Sequence, residues 1–322
     1  MPKYYIKRNS TREIISEISE ADFTRWIALQ RAAIALSEIE TMYSISVRSY
    51  LELESFLMET ALQFSANRAP LELLDGTNEN WLENCNLKVL NILNAHTAYL
   101  DHLPQRLVDL EGLCPKLIQS MKAKASKTFD SCFEYRIVML LRNISQHSHL
   151  PIKGQYYSMK SRYEGDRETT PPSVLRVSID PYFVSHQLVN AKKGRAKTRQ
   201  EINDLGLSML DAKMTLRLFV QAFFDIHDTL RTLTERVLED VDAGFAELQS
   251  HPKTRVDSDS FGFVLEDEGG GSYFFSRDLP STIRKKRDQW TAIRSVAKRY
   301  VSSEATKRND TYYGSDPQIW VN

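Results

Sequence analysis

The stretch FDSCFEYRIVMLLRNISQHSHLP, residues 129–151, decides how this chain is read. Phe129, Phe133, Ile137, Leu140 and Ile144 recur at the three- and four-residue spacing of a buried helical face, which predicts a helix from about Pro115 to about Ser145. Arg142 shares a flanking stripe with Tyr135 and Val138, seven and four residues back, so its guanidinium is expected to border a cleft. His147 falls just past that flank. Pro151 then forbids an easy continuation, because it lacks an amide donor and pushes the residue before it out of helical geometry. Residues 146–150 are therefore expected to form an exposed helix terminus.

A permanent cation and a titratable imidazole at one helix end suit phosphate chemistry. The guanidinium offers a planar fork of donors to phosphoryl oxygens, and histidine both gives and takes protons near neutrality. Asn143 adds an amide beside them. A simpler account also exists, since an arginine near a helix C-terminus is favoured by the macrodipole and a polar loop can satisfy the last carbonyls. That account explains Arg142 but asks nothing of His147.

Arg142-Asn143-x3-His147 resembles the Arg-x4-6-His motif of the HEPN superfamily, small helical proteins that include metal-independent ribonucleases of bacterial toxin and anti-phage systems. The resemblance implies a mainly α fold: a HEPN-like four-helix bundle with a β-hairpin insertion before its last helix, followed here by a small α+β C-terminal extension. It implies an endoribonuclease in which His147 moves a proton and Arg142 stabilises phosphoryl charge, with Asn143 positioning the phosphate. Homodimers with a shared cleft, and an antitoxin or defence partner that restrains the enzyme, are further implications. Where some toxin members carry a modified tyrosine two residues after the motif histidine, this chain carries His149.

Outward from the motif, Asp22 is expected to open a helix of more than 40 residues running towards Phe64, and Asn78 or Asn80 a second that is interrupted near Pro104. Residues 156–184 change character, with short alternating runs between Gly165, Pro171, Pro172 and Pro181, and read as a β-hairpin; the insertion is placed at about 153–190. Residues 198–249 read as a fourth helical block. Beyond Pro252 a second hairpin is expected from residues 261–265 and 272–275, then a basic helix over about 281–302 and an aromatic tail ending in Trp320. The glycines of residues 269–271 suit a turn, since no Walker lysine or spaced dinucleotide glycines accompany them. The domain organisation is thus 1–251 for the bundle and 252–322 for the extension.

The 322 residues carry 42 Lys plus Arg against 42 Asp plus Glu, with 42% hydrophobic residues, enough for one large core or two modest ones. The first eight residues lack a signal-peptide run and no stretch of about 18 apolar residues occurs, so the reading is a cytoplasmic chain with no membrane association. Cys85, Cys114 and Cys132 lack paired spacing and read as reduced thiols. No cofactor is implied, and no metal: His147 and His149 have no companion ligand cluster.

Charge is nevertheless uneven. Lys192, Lys193, Arg195, Lys197 and Arg199 stand without an acidic residue among them and are candidate RNA contacts, as is the basic stretch 277–308. Glu134, Tyr135 and His149 are candidate supporting groups, Glu134 as a carboxylate that orients the imidazole. The alternative function is a non-catalytic module, a helical scaffold that binds RNA or a nucleotide within a defence complex.

Overall fold

The computed structural model describes residues 3–9, 12–65, 79–147, 149–162, 174–190, 196–250 and 262–291. In chain order the elements are β1 (Tyr4–Arg8), β2 (Ile14–Ile18), α1 (Glu20–Ser65), α2 (Glu79–Glu111), α3 (Leu117–Ser131), α4 (Phe133–His147), β3 (Gly154–Arg162) and β4 (Val174–Val184). There follow α5 (Ser185–Val189), α6 (Ala196–Asp204), β5 (Met209–Asp211), α7 (Ala212–Leu233), α8 (Glu235–Ser250), β6 (Gly262–Asp267), β7 (Ser272–Ser276) and α9 (Leu279–Thr291). The protein is mainly helical with two small antiparallel sheets. Among the described residues no helix is long and apolar enough to cross a membrane.

Local chemistry accounts for the element ends. Ser19 accepts from the Asp22 amide at 3.1 Å and donates its hydroxyl to the Asp22 carboxylate at 2.7 Å, a reciprocal cap that starts α1. Asp211 caps α7 through the Met214 amide at 2.9 Å. Gly206 ends the α6 segment at φ +61°, a left-handed conformation that glycine adopts without a Cβ penalty.

Three sequence expectations need correction. The helix predicted over 115–145 is two helices, because Cys132 breaks it: the Cys132 thiol accepts from the Tyr135 amide at 3.4 Å and so serves as the N-cap of α4, a role for which sulfur gives no usual signal. Conversely, α2 is not interrupted at Pro104 but continues to Glu111. One lost amide bond is outweighed there by the burial of Leu103, Leu107 and Leu110 around the proline. The block 198–249 is divided into α6, β5, α7 and α8, the last break falling at Thr234.

Contacts divide the chain into two compact units, residues 1–44, 98–125 and 226–292 in the first and 45–97, 126–225 and 293–322 in the second. The first unit holds the sheet β2-β1-β6-β7, all neighbours antiparallel. The hairpin expected beyond Pro252 is present as β6 and β7, yet it does not stand apart: Tyr4 pairs with Asp267 and Arg8 with Phe263. The Gln30 side chain on α1 donates to the Phe274 carbonyl, and Phe245 on α8 packs on Phe275, with ring centroids 5.4 Å apart. Gly244 allows α8 to approach α1, since a Cβ there would overlap the Leu29 side chain.

The second unit contains the expected hairpin, β3 with β4, extended by the three-residue β5. Segments of α1, α2, α4 and α7 meet in its core. His96 of α2 contacts Tyr135 of α4 and packs edge-on against Phe219 and Phe223 of α7, and the Trp81 indole of α2 donates to the Thr60 hydroxyl of α1 at 3.2 Å. Glu54 of α1 receives a bidentate pair from Arg217 of α7 at 2.6 and 2.8 Å, and Tyr50 donates to the same carboxylate. Arg217 is 1% exposed, so this ion pair lies wholly inside.

Candidate functional site

The helix α4 runs through His147, two residues beyond the expected end, so the motif lies within its last two turns. Its apolar face, Ile137, Val138, Leu140, Leu141 and Ile144, is buried. The segment after it is pinned by one side chain. Asn86 of α2 donates to the Ile152 carbonyl at 3.0 Å and accepts from the Ile152 amide at 2.8 Å, all inside the core. A side-chain amide thus imitates a strand partner and fixes the backbone just past Pro151.

His147 and His149 are exposed, whereas Arg142 and Asn143 are half-buried. The Arg142 Nε lies buried without a hydrogen-bond partner among the described residues. Helix geometry then decides which groups share a face. Residues four apart are neighbours, so Asn143 and His147 are side by side, while five residues turn Arg142 about 140° away from His147 and about 7.5 Å back along the axis. One copy of the helix therefore presents the cation and the imidazole on different flanks.

The supporting residues lie elsewhere. Tyr135 and Val138 do not border a cleft: they are 3% and 1% exposed, and the Tyr135 hydroxyl lies 3.1 Å from His96 Nε2. Burial raises the Tyr135 pKa, and it drives the His96 pKa down to about 3, so that pair is neutral core. Glu134 sits in the first turn of α4, where it accepts from the Cys132 thiol at 3.5 Å. Thirteen residues of helix, about 20 Å, separate it from His147, so it does not orient the imidazole of its own chain. The neighbouring Arg136 is a structural cation, donating to the Phe129 and Asp130 carbonyls and pairing with Glu201 of α6 at 2.6 Å.

Of the basic run, Lys197 is exposed on α6 and Arg199 half-buried; Lys192, Lys193 and Arg195 lie outside the described residues. In the later basic stretch, three cations are engaged internally. Arg284 pairs with Asp242, Lys286 donates to Thr41 at 2.6 Å, and Arg287 donates to Glu40, Glu235 and Thr234. Arg284, Lys286 and Arg287 thus fasten α9 within the first unit, while Lys285 is exposed.

The constellation that sequence reasoning missed surrounds Glu40. Its carboxylate accepts from Arg231 at 2.7 Å and from Arg287 at 3.1 Å, and lies 3.3 Å from His227 Nε2. His227 Nδ1 lies 3.0 Å from the Tyr99 hydroxyl, and the ring stacks on Tyr43 with centroids 3.6 Å apart. Burial opposes ionisation of Glu40, but His227 and Arg231 outweigh it and hold the carboxyl at about 2. Burial lowers the His227 pKa against the pull of Glu40. Glu40, His227 and Tyr99 are each at most 2% exposed, so no substrate reaches them. The legible signal was a carboxylate on a core stripe, with Leu36, Tyr43 and Val47 at helical spacing on either side.

Among the described residues no three His, Cys, Asp or Glu side chains gather as a metal site. The three cysteines are free; Cys85 is buried, and burial pushes its thiol up to about 12. No family model, curated protein or solved structure matches the chain.

Proposed function

We propose that the protein is a metal-independent endoribonuclease of the HEPN kind, whose site is the end of α4. The observation that carries this reading is an exposed His147 with Asn143 beside it on one flank of the end of α4 and, on the other flank, Arg142, whose Nε has no partner among the described residues. In the reaction the ribose 2′ oxygen bonds to phosphorus while the bond from phosphorus to the 5′ oxygen breaks. His147 takes the 2′-hydroxyl proton and returns one to the departing oxygen, and Arg142 stabilises charge on the non-bridging oxygens. Only RNA carries that internal nucleophile. The products are a 2′,3′-cyclic phosphate and a 5′-hydroxyl.

The 140° between Arg142 and His147 supports a site closed by a second copy, in which the cation of one chain faces the imidazole of the other. The meeting of α2, α4 and α7 around His96 and Tyr135, with α1 joined through Thr60 to Trp81 and through Glu54 to Arg217, supports a bundle of the HEPN type. Such an enzyme endangers its host, so a toxin or defence role with a restraining partner protein accompanies the proposal.

The test is cleavage of RNA in EDTA by the wild type, Arg142→Ala and His147→Ala, with the fragment ends identified. Cyclic-phosphate ends that vanish in both variants support the reading. A mixture of the two inactive variants regains activity if the site is shared between copies, because one of the two sites in the mixed dimer is intact. RNA left whole by the wild type, but bound by it, replaces the enzyme with a non-catalytic RNA-binding module.

A further inference from the structure

Within the second unit, a cavity of about 320 Å³ opens between α5, α6 and the turn that leads into β5. Its polar lining joins donors with acceptors: Ser185 and Ser208 bring hydroxyls, Asn190 and Asn203 amides, and His186 an imidazole. No carboxylate, lysine or arginine is among the described residues that line it. Ile202, 1% exposed, supplies an apolar surface. Ser185 is 6% exposed and its hydroxyl has no hydrogen-bond partner among the described residues, an arrangement folded proteins rarely leave without a reason. At the rim, Gly206 has nothing within 4 Å of where a Cβ would stand, so the mouth is open.

Chemistry narrows the occupant. Among the described residues of the lining a phosphate or carboxylate would meet no lysine or arginine, and a hydrocarbon would strand the hydroxyls and amides without partners. What fits is a neutral, flat molecule with apolar faces and an edge bearing both donors and acceptors, which side-chain amides and hydroxyls match in either sense. Single-stranded RNA offers such a group in each unstacked base. Both α5 and α6 pack against α4, the helix that carries Arg142 and His147.

The geometry points to a nucleobase-binding pocket formed by Ser185, Asn190 and Asn203, which selects a base of the RNA strand; the ligand class follows from the lining, while its role in cleavage rests on the ribonuclease reading above. The test is titration of the full chain with each of the four ribonucleosides and with ribose, by calorimetry or ligand-observed NMR, alongside Asn203→Ala and Ser185→Ala. Asn203 is exposed and its replacement leaves the core untouched. The expected result is that one nucleoside binds better than the others and better than ribose, and that each variant weakens it about tenfold, the effect of one lost hydrogen bond. Failure of all four to bind at millimolar concentration overturns the inference, as does ribose binding equally well or nucleoside binding indifferent to both variants. Nucleoside binding without RNA cleavage keeps the pocket and removes the nuclease; cleavage without nucleoside binding does the reverse.

Discussion

Glu40 and the end of α4 hold the same kinds of group, arginine and histidine with a polar neighbour, in opposite circumstances. Around Glu40, two arginines and a histidine converge on one carboxylate, with Glu40 and His227 at most 2% exposed. At the end of α4, His147 is open to solvent and the Arg142 Nε lacks a partner among the described residues. Residue type alone does not distinguish a structural charge from a reactive one; access does. A buried group ringed by counter-charges holds helices together, and a group open to solvent can meet a ligand.

The largest effect that separates the two regions lies in activity. His147→Ala should lower RNA cleavage by about 10²- to 10⁴-fold, the range for loss of a positioned acid or base, while changing stability by no more than about 0.5 kcal/mol, which urea denaturation of the same variant checks. Glu40→Ala should do the opposite to stability. It removes the carboxylate shared by half-buried Arg231 and buried Arg287, at a cost of about 3–5 kcal/mol in unfolding free energy read by urea denaturation. Glu54→Ala is expected to cost a similar amount, about 3–5 kcal/mol, by removing the carboxylate that pairs with buried Arg217; a loss below about 1 kcal/mol at either site would end the contrast between the two regions.

A smaller effect follows from protonation. The His96 pKa falls from the ordinary 6.5 to about 3 in the fold, and that of His227 is also lowered. The unfolded chain therefore binds protons below pH 6.5 that the folded chain refuses, and stability drops as pH falls from 6.5 towards 3. His96 alone should account for about 2 kcal/mol between pH 7 and pH 5, and His96→Phe should flatten that part of the profile. Glu40, held at about 2, adds a further loss below pH 4.5. The smallest expected effect is that of Glu134→Gln, which should leave cleavage unchanged because Glu134 stands at the far end of α4; a hundredfold loss would bring the carboxylate back into the site.

Helices with continuous apolar stripes, and both hairpins with their alternating residues and flanking glycines and prolines, were legible in the sequence because their signals are local. The Cys132 break was not, since it depends on a thiol acting as a cap, and neither was the passage of α2 through Pro104, where packing overrides propensity. Pairing of β1 with β6 joins opposite ends of the sequence, and no local pattern announces its partner. At the candidate site, the helix end and its residue types could be read directly. The inward turn of Tyr135 and the distance of Glu134 needed the position of the helix start.

The pairing of Tyr4 with Asp267 also sets an order of events during synthesis. Once residue 225 has emerged from the ribosome every described stretch of the second unit is free to fold, yet the first unit still lacks the two strands that complete its sheet and the arginines that neutralise Glu40. Residues 1–44 must therefore wait for most of the chain to emerge before their native partners exist. Closing contacts so distant in sequence is slow, which makes the first unit the last to mature on a nascent chain.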